Sequence, residues 1–308
     1  MTSVATLRCV DETKVAPGNI PWKKLDNDIN SATFHEHQWP VENVRGREAE
    51  FPLDTYGFSY HRTPTQFTDF DDDAAVRERY YREVEAKMVE LIPGAKRAIV
   101  FAHTIRHRSK EARDGPRVWD KAARQPASEL HIDNNAPTVE NLVRAMLTNK
   151  DEAQEALKGR FGLVNMWRPL NHPASDHPVA TCDWRTVRPD EDFVTIRLLL
   201  PFAQSRTLTN GVFDMSHLQE KQPLPEGYDA IGLGLLVKPS PRLRFYYLKD
   251  MTPEEVLLIK CYDSFGEGQP MGKEGISVAT PHAAFDDPET PADAPLRHSI
   301  EARCLILW

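Results

Sequence analysis

The second half of the chain consists largely of short apolar runs, and this pattern constrains the fold more than any other feature. Each run is rich in β-branched and aromatic residues, and Pro, Asn, Asp or Gly separates it from the next. In order they are GLVNMW, VATCDW, FVTIRLLL, AIGLGLLV, RLRFYYL, EVLLIKCY and SIEARCLIL. Segments of this kind are typical of β-strands, and many short strands joined by turns favour a sandwich or a barrel. We therefore expect a mainly β fold with helical additions.

Helical patterns come before most of these runs. From Val76 to Leu91 apolar residues recur every three or four positions after an Asp cluster suited to N-capping, which predicts a helix. Two more helices are predicted in TVENLVRAMLTN, with Thr138 as its cap, and in DEAQEALKGR, closed by Gly159. Residues 1–70 show no sustained period, so we expect an irregular N-terminal arm packed on one domain of residues 71–308.

A polar segment, RHRSKEARDGPRVWDKAARQ, covers about residues 106–125. It follows the short apolar run RAIVFAHTI and is unusually long for a connection within a compact domain. Such a segment beside the mouth of a barrel is a candidate lid.

Charge and hydropathy limit the partners of the chain. The formal charge is −8, and no basic stripe could neutralise a run of phosphates, so we expect no nucleic-acid partner. The start, MTSVATLRCVDETK, lacks the apolar core of a signal peptide, and no segment approaches the roughly 20 apolar residues that cross a membrane. We expect a cytoplasmic monomer or homodimer that acts on a small molecule.

The segment Leu130-His131-Ile132-Asp133 carries a candidate metal site. In an extended segment side chains alternate, so His131 and Asp133 point to the same side, where an imidazole and a carboxylate can chelate a metal. An HxD pair by itself is a weak signal, but His282 in TPHAAF supplies a third ligand from a distant part of the chain. Two histidines and one carboxylate form the facial triad of non-haem iron(II) oxygenases, which leaves coordination positions open.

A candidate co-substrate site follows in RHS. Arg297 offers a planar fork that can grip both oxygens of a carboxylate, and Ser299 on the same strand face adds a hydroxyl donor. The order HxD, then His, then RxS therefore predicts that 2-oxoglutarate binds beside the metal. Arg303 shares the face of Arg297 and is the alternative anchor, although an ion pair with Glu301 would also explain it.

Four weaker candidates remain, each with an ordinary structural alternative. Asn165 and Arg168 lie on one predicted strand and could bind a carboxylate of co-substrate or substrate, although a structural role suits Arg168 better. One of the pair Tyr246 and Tyr247 should face the barrel, and we take Tyr247 as a possible hydroxyl donor to the co-substrate, core packing being the commoner fate of such aromatics. Asn135, just after HxD, is a candidate substrate contact.

Five longer sequence segments around these motifs resemble one known protein family. They are NMWRPL, PVATCDWRTV, YYLKDMTPEEVLLIKCYDS, TPHAAFDDP and RHSIEARCLIL. Over about residues 95–308 the chain resembles the iron(II)/2-oxoglutarate-dependent hydroxylase/desaturase family of microbial, largely fungal, secondary metabolism, which includes a gibberellin desaturase. The resemblance implies a double-stranded β-helix (jelly-roll) barrel, with Fe(II), 2-oxoglutarate and O2 as cofactor and co-substrates. It also implies His131, Asp133 and His282 as iron ligands, Arg297 with Ser299 as co-substrate anchors, and hydroxylation or desaturation of a small natural-product intermediate.

Three other functions remain open at this point. A cupin-like metalloenzyme, hydrolase or isomerase, would need the metal but would form no succinate. An iron oxidase independent of 2-oxoglutarate, or a catalytically silent barrel that binds a small molecule, would not need the RxS motif. The presence of RxS after His282 argues against these last two.

Overall fold

The computed structural model describes residues 2–109, 124–209 and 223–308, and its strands form two facing sheets. The strands are β1 (Thr2–Val10), β2 (Trp22–Lys24), β3 (Phe34–Asn43), β4 (Phe58–Arg62), β5 (Arg97–His107), β6 (His131–Ile132), β7 (Phe161–Pro169), β8 (Val179–Cys182), β9 (Phe193–Pro201), β10 (Tyr228–Val237), β11 (Phe245–Tyr247), β12 (Glu255–Asp263), β13 (His282–Ala284) and β14 (His298–Leu307). Each of the seven apolar runs contributes a strand, so the prediction of a mainly β fold is confirmed.

The larger sheet has the order β1-β3-β11-β8-β13-β6-β10-β9-β2, and the smaller has the order β4-β12-β7-β14-β5. Most neighbours are antiparallel and distant in sequence, as in a double-stranded β-helix, so the predicted jelly-roll fold is confirmed. An apolar core that includes Phe58, Leu163 and Leu305 fills part of the space between the sheets.

Helices cover the outside of this frame. They are α1 (Leu53–Tyr56), α2 (Asp73–Ala75), α3 (Tyr81–Leu91), α4 (Ala136–Met146), α5 (Lys150–Lys158), α6 (Pro189–Asp192) and α7 (Phe202–Thr209), with a π-helical turn at Val76–Tyr80 and 3₁₀ turns at Glu12–Lys14, Glu48–Glu50 and Trp184–Thr186. The predicted helix from Val76 to Leu91 packs on the outer face of the small sheet. In the part of the chain that the structure describes, no helix has the length and apolarity needed to cross a membrane.

The two helices predicted after HxD are present, but the first has a different cap. The side chain of Asn135 accepts from the backbone N–H of Thr138, so Asn135 is the N-cap of α4, and the predicted cap, Thr138, lies inside the helix. The sequence suggests Asn135 only as a weak candidate for a substrate contact, whereas its extended backbone and short amide suit a cap. Gly159 closes α5 as predicted.

The first 70 residues differ from the prediction of an irregular arm. β1 and β3 pair along their whole length, from Thr2 opposite Glu42 to Val10 opposite Phe34, and β3 adds this hairpin to the large sheet through β11. Alternate residues of β1, including Ala5 and Leu7, are buried in the core on that sheet's outer face. The strand period is therefore present in β1, where the apolar Val4 on the exposed face and the polar Ser3 on the buried face obscure it.

The predicted lid is only partly visible. Residues 106 and 107 end β5, and residues 110–123 of the segment lie outside the described residues. The lid stays a prediction, and so does the division of the chain into an arm and a domain.

Gly57 brings β4 close to the segment that leads to His282. Its φ is +90°, and a Cβ atom there would lie 2.4 Å from the carbonyl oxygen of Ala279. The next residues of that segment, Thr280 and Pro281, lead directly into β13. This close backbone approach, which needs a residue without a side chain, holds one predicted metal ligand in place.

We expect Gly57→Ala to lower the free energy of unfolding by at least about 3 kcal/mol, because the strain of a positive φ and a backbone clash both oppose the methyl group. Gly18→Ala is the matched control, since Gly18 has φ +75° but nothing within 4 Å of the added Cβ. Its loss should be about 1 kcal/mol. Urea unfolding followed by circular dichroism measures both, and equal losses would contradict the close-approach argument.

Candidate active site

Three side chains from two distant parts of the sequence meet at the centre of the large sheet. His131 in β6 is directly opposite His282 in β13, and their ring centroids are 4.5 Å apart. Asp133 follows β6, and its Oδ1 lies 3.4 Å from His131 Nε2. One ligand atom from each residue lies within 4.8 Å of the others, so the three predicted ligands are together and can surround one metal ion.

Hydrogen bonds to the backbone fix the tautomers of both histidines. His131 Nδ1 lies 2.7 Å from the carbonyl oxygen of Glu129, and His282 Nδ1 lies 3.1 Å from that of Thr280. A carbonyl oxygen can only accept, so each Nδ1 carries the proton and donates. Both Nε2 lone pairs are therefore free for a metal, and burial together with the charge of His131 lowers the pKa of His282, which favours the neutral ligand form.

The second carboxylate oxygen of Asp133 is held by the protein. Asn165 Nδ2 donates to Oδ2 at 2.7 Å, Cys261 Sγ lies 3.7 Å from the same atom, and Arg303 Nε lies 3.6 Å from it. Burial works against the charged carboxylate, but the positive charge of Arg303 holds the pKa of Asp133 well below its usual range. Asp133 is thus an ionised ligand with one oxygen, Oδ1, left for the metal.

Arg303, the alternative co-substrate anchor, is occupied by protein partners. Its Nη1 donates to Thr104 Oγ1 at 2.8 Å and its Nη2 lies 2.7 Å from Glu301 Oε1, in addition to the contact with Asp133. The ion pair with Glu301 is the one that the sequence suggested. All three partners come from the protein, which favours Arg297 over Arg303 as the anchor.

Arg297 and Ser299 provide unused donors at the start of β14, with the same side-chain parity along the strand as Glu301 and Arg303. Arg297 is 2% exposed and Ser299 is 1% exposed. Arg297 Nη1 donates to the carbonyl oxygen of His177 at 2.6 Å, whereas Arg297 Nε and Ser299 Oγ are buried without a hydrogen-bond partner among the described residues. Burial and the nearby charge of Arg106 lower the pKa of Arg297 to about 9. Two adjacent unsatisfied donors, one of them cationic, form a ready site for a carboxylate.

A cavity of about 360 Å³ joins the two groups. Its walls include the three predicted ligands, Arg106, Trp167, Val179, Ile259, Arg297 and Glu301. The guanidinium of Arg297 lies over the ring of Trp167 at 5.3 Å, which fixes the side chain within the cavity wall. The space between the ligand atoms and Arg297 therefore has a metal-binding end and an anion-binding end.

Two other predicted residues lie away from this cavity. Arg168 points to the opposite face of β7, where its Nε donates to Tyr80 at 3.0 Å and its Nη1 donates to the carbonyl oxygen of Pro253 at 2.6 Å. The hydroxyl of Tyr247 donates to Asp287 at 3.0 Å, on the outer side of the large sheet. Asn165 is in the centre, but it contacts the ligand Asp133, and none of the three side chains lines the cavity.

Sequence reasoning missed the residues that hold Arg297. Asp176 Oδ2 accepts from the backbone N–H of Arg297 at 2.9 Å, and its other oxygen pairs with Arg108. His177 has φ +52°, and this left-handed backbone accompanies the carbonyl contact to the guanidinium. The sequence offered little signal for these contacts, because they come from a loop whose histidine and prolines suggest only an exposed turn.

The residues fit iron(II) and 2-oxoglutarate. Two neutral imidazole nitrogens and one carboxylate oxygen on one side of a cavity are the donors that non-haem iron(II) uses, and they leave the cavity side open. The orphaned donors Arg297 Nε and Ser299 Oγ meet the need of a second, distant carboxylate. The fit rests on donor chemistry at both ends of one cavity.

We expect Asn165→Leu and Arg303→Met each to weaken Mn(II) binding by about tenfold to a hundredfold, because Asp133 Oδ2 loses a partner and the carboxylate can rotate. Isothermal titration calorimetry without co-substrate measures this affinity. Arg97→Met is the control, since Arg97 is at the far, exposed end of β5. Unchanged affinity in both test variants would contradict the positioning of Asp133 by these residues.

Comparison with known proteins agrees with the sequence resemblance. The family model described as oxidoreductase/YMDC permease-like domain matches residues 11–307. The hydroxylase/desaturase efuI of Hormonema carpetanum is 31% identical, over 87% of this chain and 82% of that protein. The Fe(II)/2-oxoglutarate-dependent dioxygenase nvfI of Aspergillus novofumigatus is 28% identical, over 88% of this chain and 83% of that protein.

A solved structure extends the agreement to the whole fold. The iron and alpha-ketoglutarate-dependent endoperoxidase NvfI superposes with a TM-score of 0.75 at 23% identity, covering 99% of this chain and 98% of that one. At this identity the likeness establishes a shared fold. Together with the family model and the curated relatives, it confirms the resemblance found in the sequence: the chain belongs to the family of fungal hydroxylase/desaturase oxidoreductases.

Proposed function

We propose that the chain is an iron(II)/2-oxoglutarate-dependent dioxygenase that hydroxylates or desaturates an unactivated C–H bond of a small natural-product intermediate. The observation that carries this proposal is one cavity whose walls hold a two-histidine, one-carboxylate cluster and the buried cation Arg297. Arg297 Nε and the hydroxyl of Ser299, two residues further along the chain, have no hydrogen-bond partner among the described residues. The names of relatives, hydroxylase/desaturase and Fe(II)/2-oxoglutarate-dependent dioxygenase, support the same chemistry.

Each end of the cavity has a defined task. His131 Nε2, His282 Nε2 and Asp133 Oδ1 would hold iron(II), with Asn165 and Arg303 keeping the carboxylate in one orientation. When bound with 2-oxoglutarate and O2, iron supplies an oxidant strong enough to remove a hydrogen atom from carbon, and succinate and CO2 are released. The protein positions the reactants and excludes water from them.

Arg297 and Ser299 would fix the distal carboxylate of 2-oxoglutarate. The backbone contact to Asp176, the carbonyl of His177 and the ring of Trp167 limit the rotation of Arg297, so a bound carboxylate meets a prearranged fork. This geometry also separates the proposal from a cupin-like hydrolase or isomerase, which needs the metal ligands but has no use for a buried cation at that distance.

The chain offers an apolar surface for the skeleton of a substrate. A second cavity of about 200 Å³ shares Trp167 and Val179 with the first, and its other walls are mainly apolar, among them Leu248, Met251 and Leu257. Apolar walls of this kind favour contact with a hydrocarbon part of a substrate over a polar one. The acidic charge of the chain and its lack of a basic stripe support the further proposal that nucleic acid is not a partner. That the protein is a cytoplasmic monomer or homodimer stays a proposal from the sequence.

Anaerobic addition of iron(II) and then 2-oxoglutarate tests the proposal. We expect a weak visible charge-transfer band from the chelate, and its absence in wild-type protein would refute the proposed function. His131→Ala, Asp133→Ala and His282→Ala should each remove the band and abolish turnover while circular dichroism changes little, because the ligands line a cavity rather than support the core.

Arg297→Lys should raise the concentration of 2-oxoglutarate needed for half-saturation by about tenfold or more, since lysine keeps the charge but loses the planar two-donor fork. Its effect on Mn(II) affinity should be small. Arg303→Lys should show the opposite pattern, because Arg303 contacts the ligand Asp133. Titrations of each variant with Mn(II), and with 2-oxoglutarate at saturating metal, separate the two roles. A loss of co-substrate affinity in Arg303→Lys alone would move the anchor to Arg303.

A further inference from the structure

Arg106 is a second cation in the cavity, and the proposed chemistry does not use it. It lies in β5 opposite Ser299 of β14, on the wall of the cavity that contains the predicted metal ligands. Its Nη1 donates to the carbonyl oxygen of Gln125 at 2.7 Å, which holds the side chain at this wall. A guanidinium has five N–H donors, and among the described residues Gln125 is the one hydrogen-bond partner of Arg106, so donors remain that can bind a ligand.

A local irregularity in β5 turns Arg106 inward. The pairing of β14 with β5 shifts register, so that Arg303 is opposite Ala102 while Cys304 is opposite Val100. Before this bulge Ile99 packs between the sheets, and after it Thr104 bonds to Arg303 and Ile105 packs on the outer face. Bulges commonly redirect side chains beside active sites, and here the bulge adds a charged side chain to the cavity wall.

The charge of Arg106 has no acidic partner among the described residues. The described carboxylates in the cavity wall are Asp133 and Glu301. Asp133 is the predicted metal ligand, and Glu301 pairs with Arg303 at 2.7 Å. The charges of Arg106 and Arg297 repel each other, since Arg106 contributes to the low pKa of Arg297. A cavity wall with two cations that form no ion pair with a described carboxylate attracts anions.

The charge count shows which anion is still missing after the co-substrate has bound. Iron(II) and Asp133 together leave one positive charge, Arg297 and Arg106 add two, and Glu301 and Arg303 cancel each other. The dianion 2-oxoglutarate neutralises two of these three charges. One positive charge remains, which a monoanionic substrate would neutralise.

We infer that Arg106 binds the carboxylate of the primary substrate, which is therefore an organic acid. The inference rests on the proposed function. A carboxylate matches both the single remaining charge and the planar fork of one guanidinium. The position of Arg106 favours the substrate over the co-substrate as the source of this carboxylate. Arg297 is 2% exposed and already has the donor Ser299 two residues along the chain, whereas Arg106 is half-buried and so lies nearer the solvent.

The test uses protein loaded with Mn(II) and 2-oxoglutarate, which binds ligands without turnover. The probes are cyclohexanecarboxylate and its neutral analogue cyclohexanecarboxamide, and the relaxation of probe protons caused by Mn(II) reports both affinity and proximity to the metal. Wild-type protein should bind the carboxylate about tenfold more tightly than the amide. Arg106→Gln should remove this preference, and Arg106→Lys should retain part of it because the charge remains.

Arg97→Gln is the matched control, since it makes the same substitution at the exposed end of the same strand. It should keep the full preference, and circular dichroism should show that all variants are folded. Affinity for 2-oxoglutarate in Arg106→Gln should stay within about threefold of wild type. A tenfold loss of that affinity would assign Arg106 to the co-substrate and overturn the inference, as would a wild-type protein that binds both probes equally. Failure of wild-type protein to bind 2-oxoglutarate at all would instead refute the proposed function.

Discussion

The alternation of side chains along β14 is the constraint on which the rest of the site depends. One face of this strand presents Arg297, Ser299, Glu301 and Arg303 to the space between the sheets, and the other face packs Ile300 and its even-numbered neighbours under α3. The neighbours β7 and β5 pair both edges of β14, and both of its faces are buried, one under α3 and the other towards the large sheet. A slip of one residue would bury every charged group beneath the helix. The apolar face therefore fixes the position of the polar one.

Burial gives these charges their properties. The carboxylate of Asp133 stays ionised because Arg303 and Asn165 compensate it, and Glu301 in turn balances Arg303. Such a chain of partners lets a buried charge persist at modest cost, whereas an unpaired one would be strongly destabilising. Arg297 is the exception, since its low pKa reflects burial without a partner carboxylate. The structure thus contrasts satisfied charges around the metal ligand with an unsatisfied cation that suits a bound anion.

The fold and the centre of the site could be predicted from the sequence because they depend on local patterns. Short β-branched runs predict strands. The motifs around His131, His282 and Arg297 are each only a few residues long, so they can be recognised without knowing the loops that lie between them. Partners that come from other strands could not be predicted. Arg303 is on the same strand face as Arg297, so the sequence allows either to anchor the co-substrate. Only the contacts with Asp133 and Thr104, which come from other parts of the chain, show that the Arg303 guanidinium already has protein partners.

The sequence by itself determined the strands and the three predicted ligands, because side-chain alternation and residue chemistry are properties of the chain, and its resemblance to a known family implied the jelly-roll class. The tertiary structure alone decided which polar groups remain unsatisfied and which way irregular positions point. Counting alternate residues along β5 from Ile99 would place Arg106 on the outer face, under α3. The bulge near Val100 reverses that alternation, and it depends on the register that β14 imposes on its neighbour rather than on any residue of β5 alone.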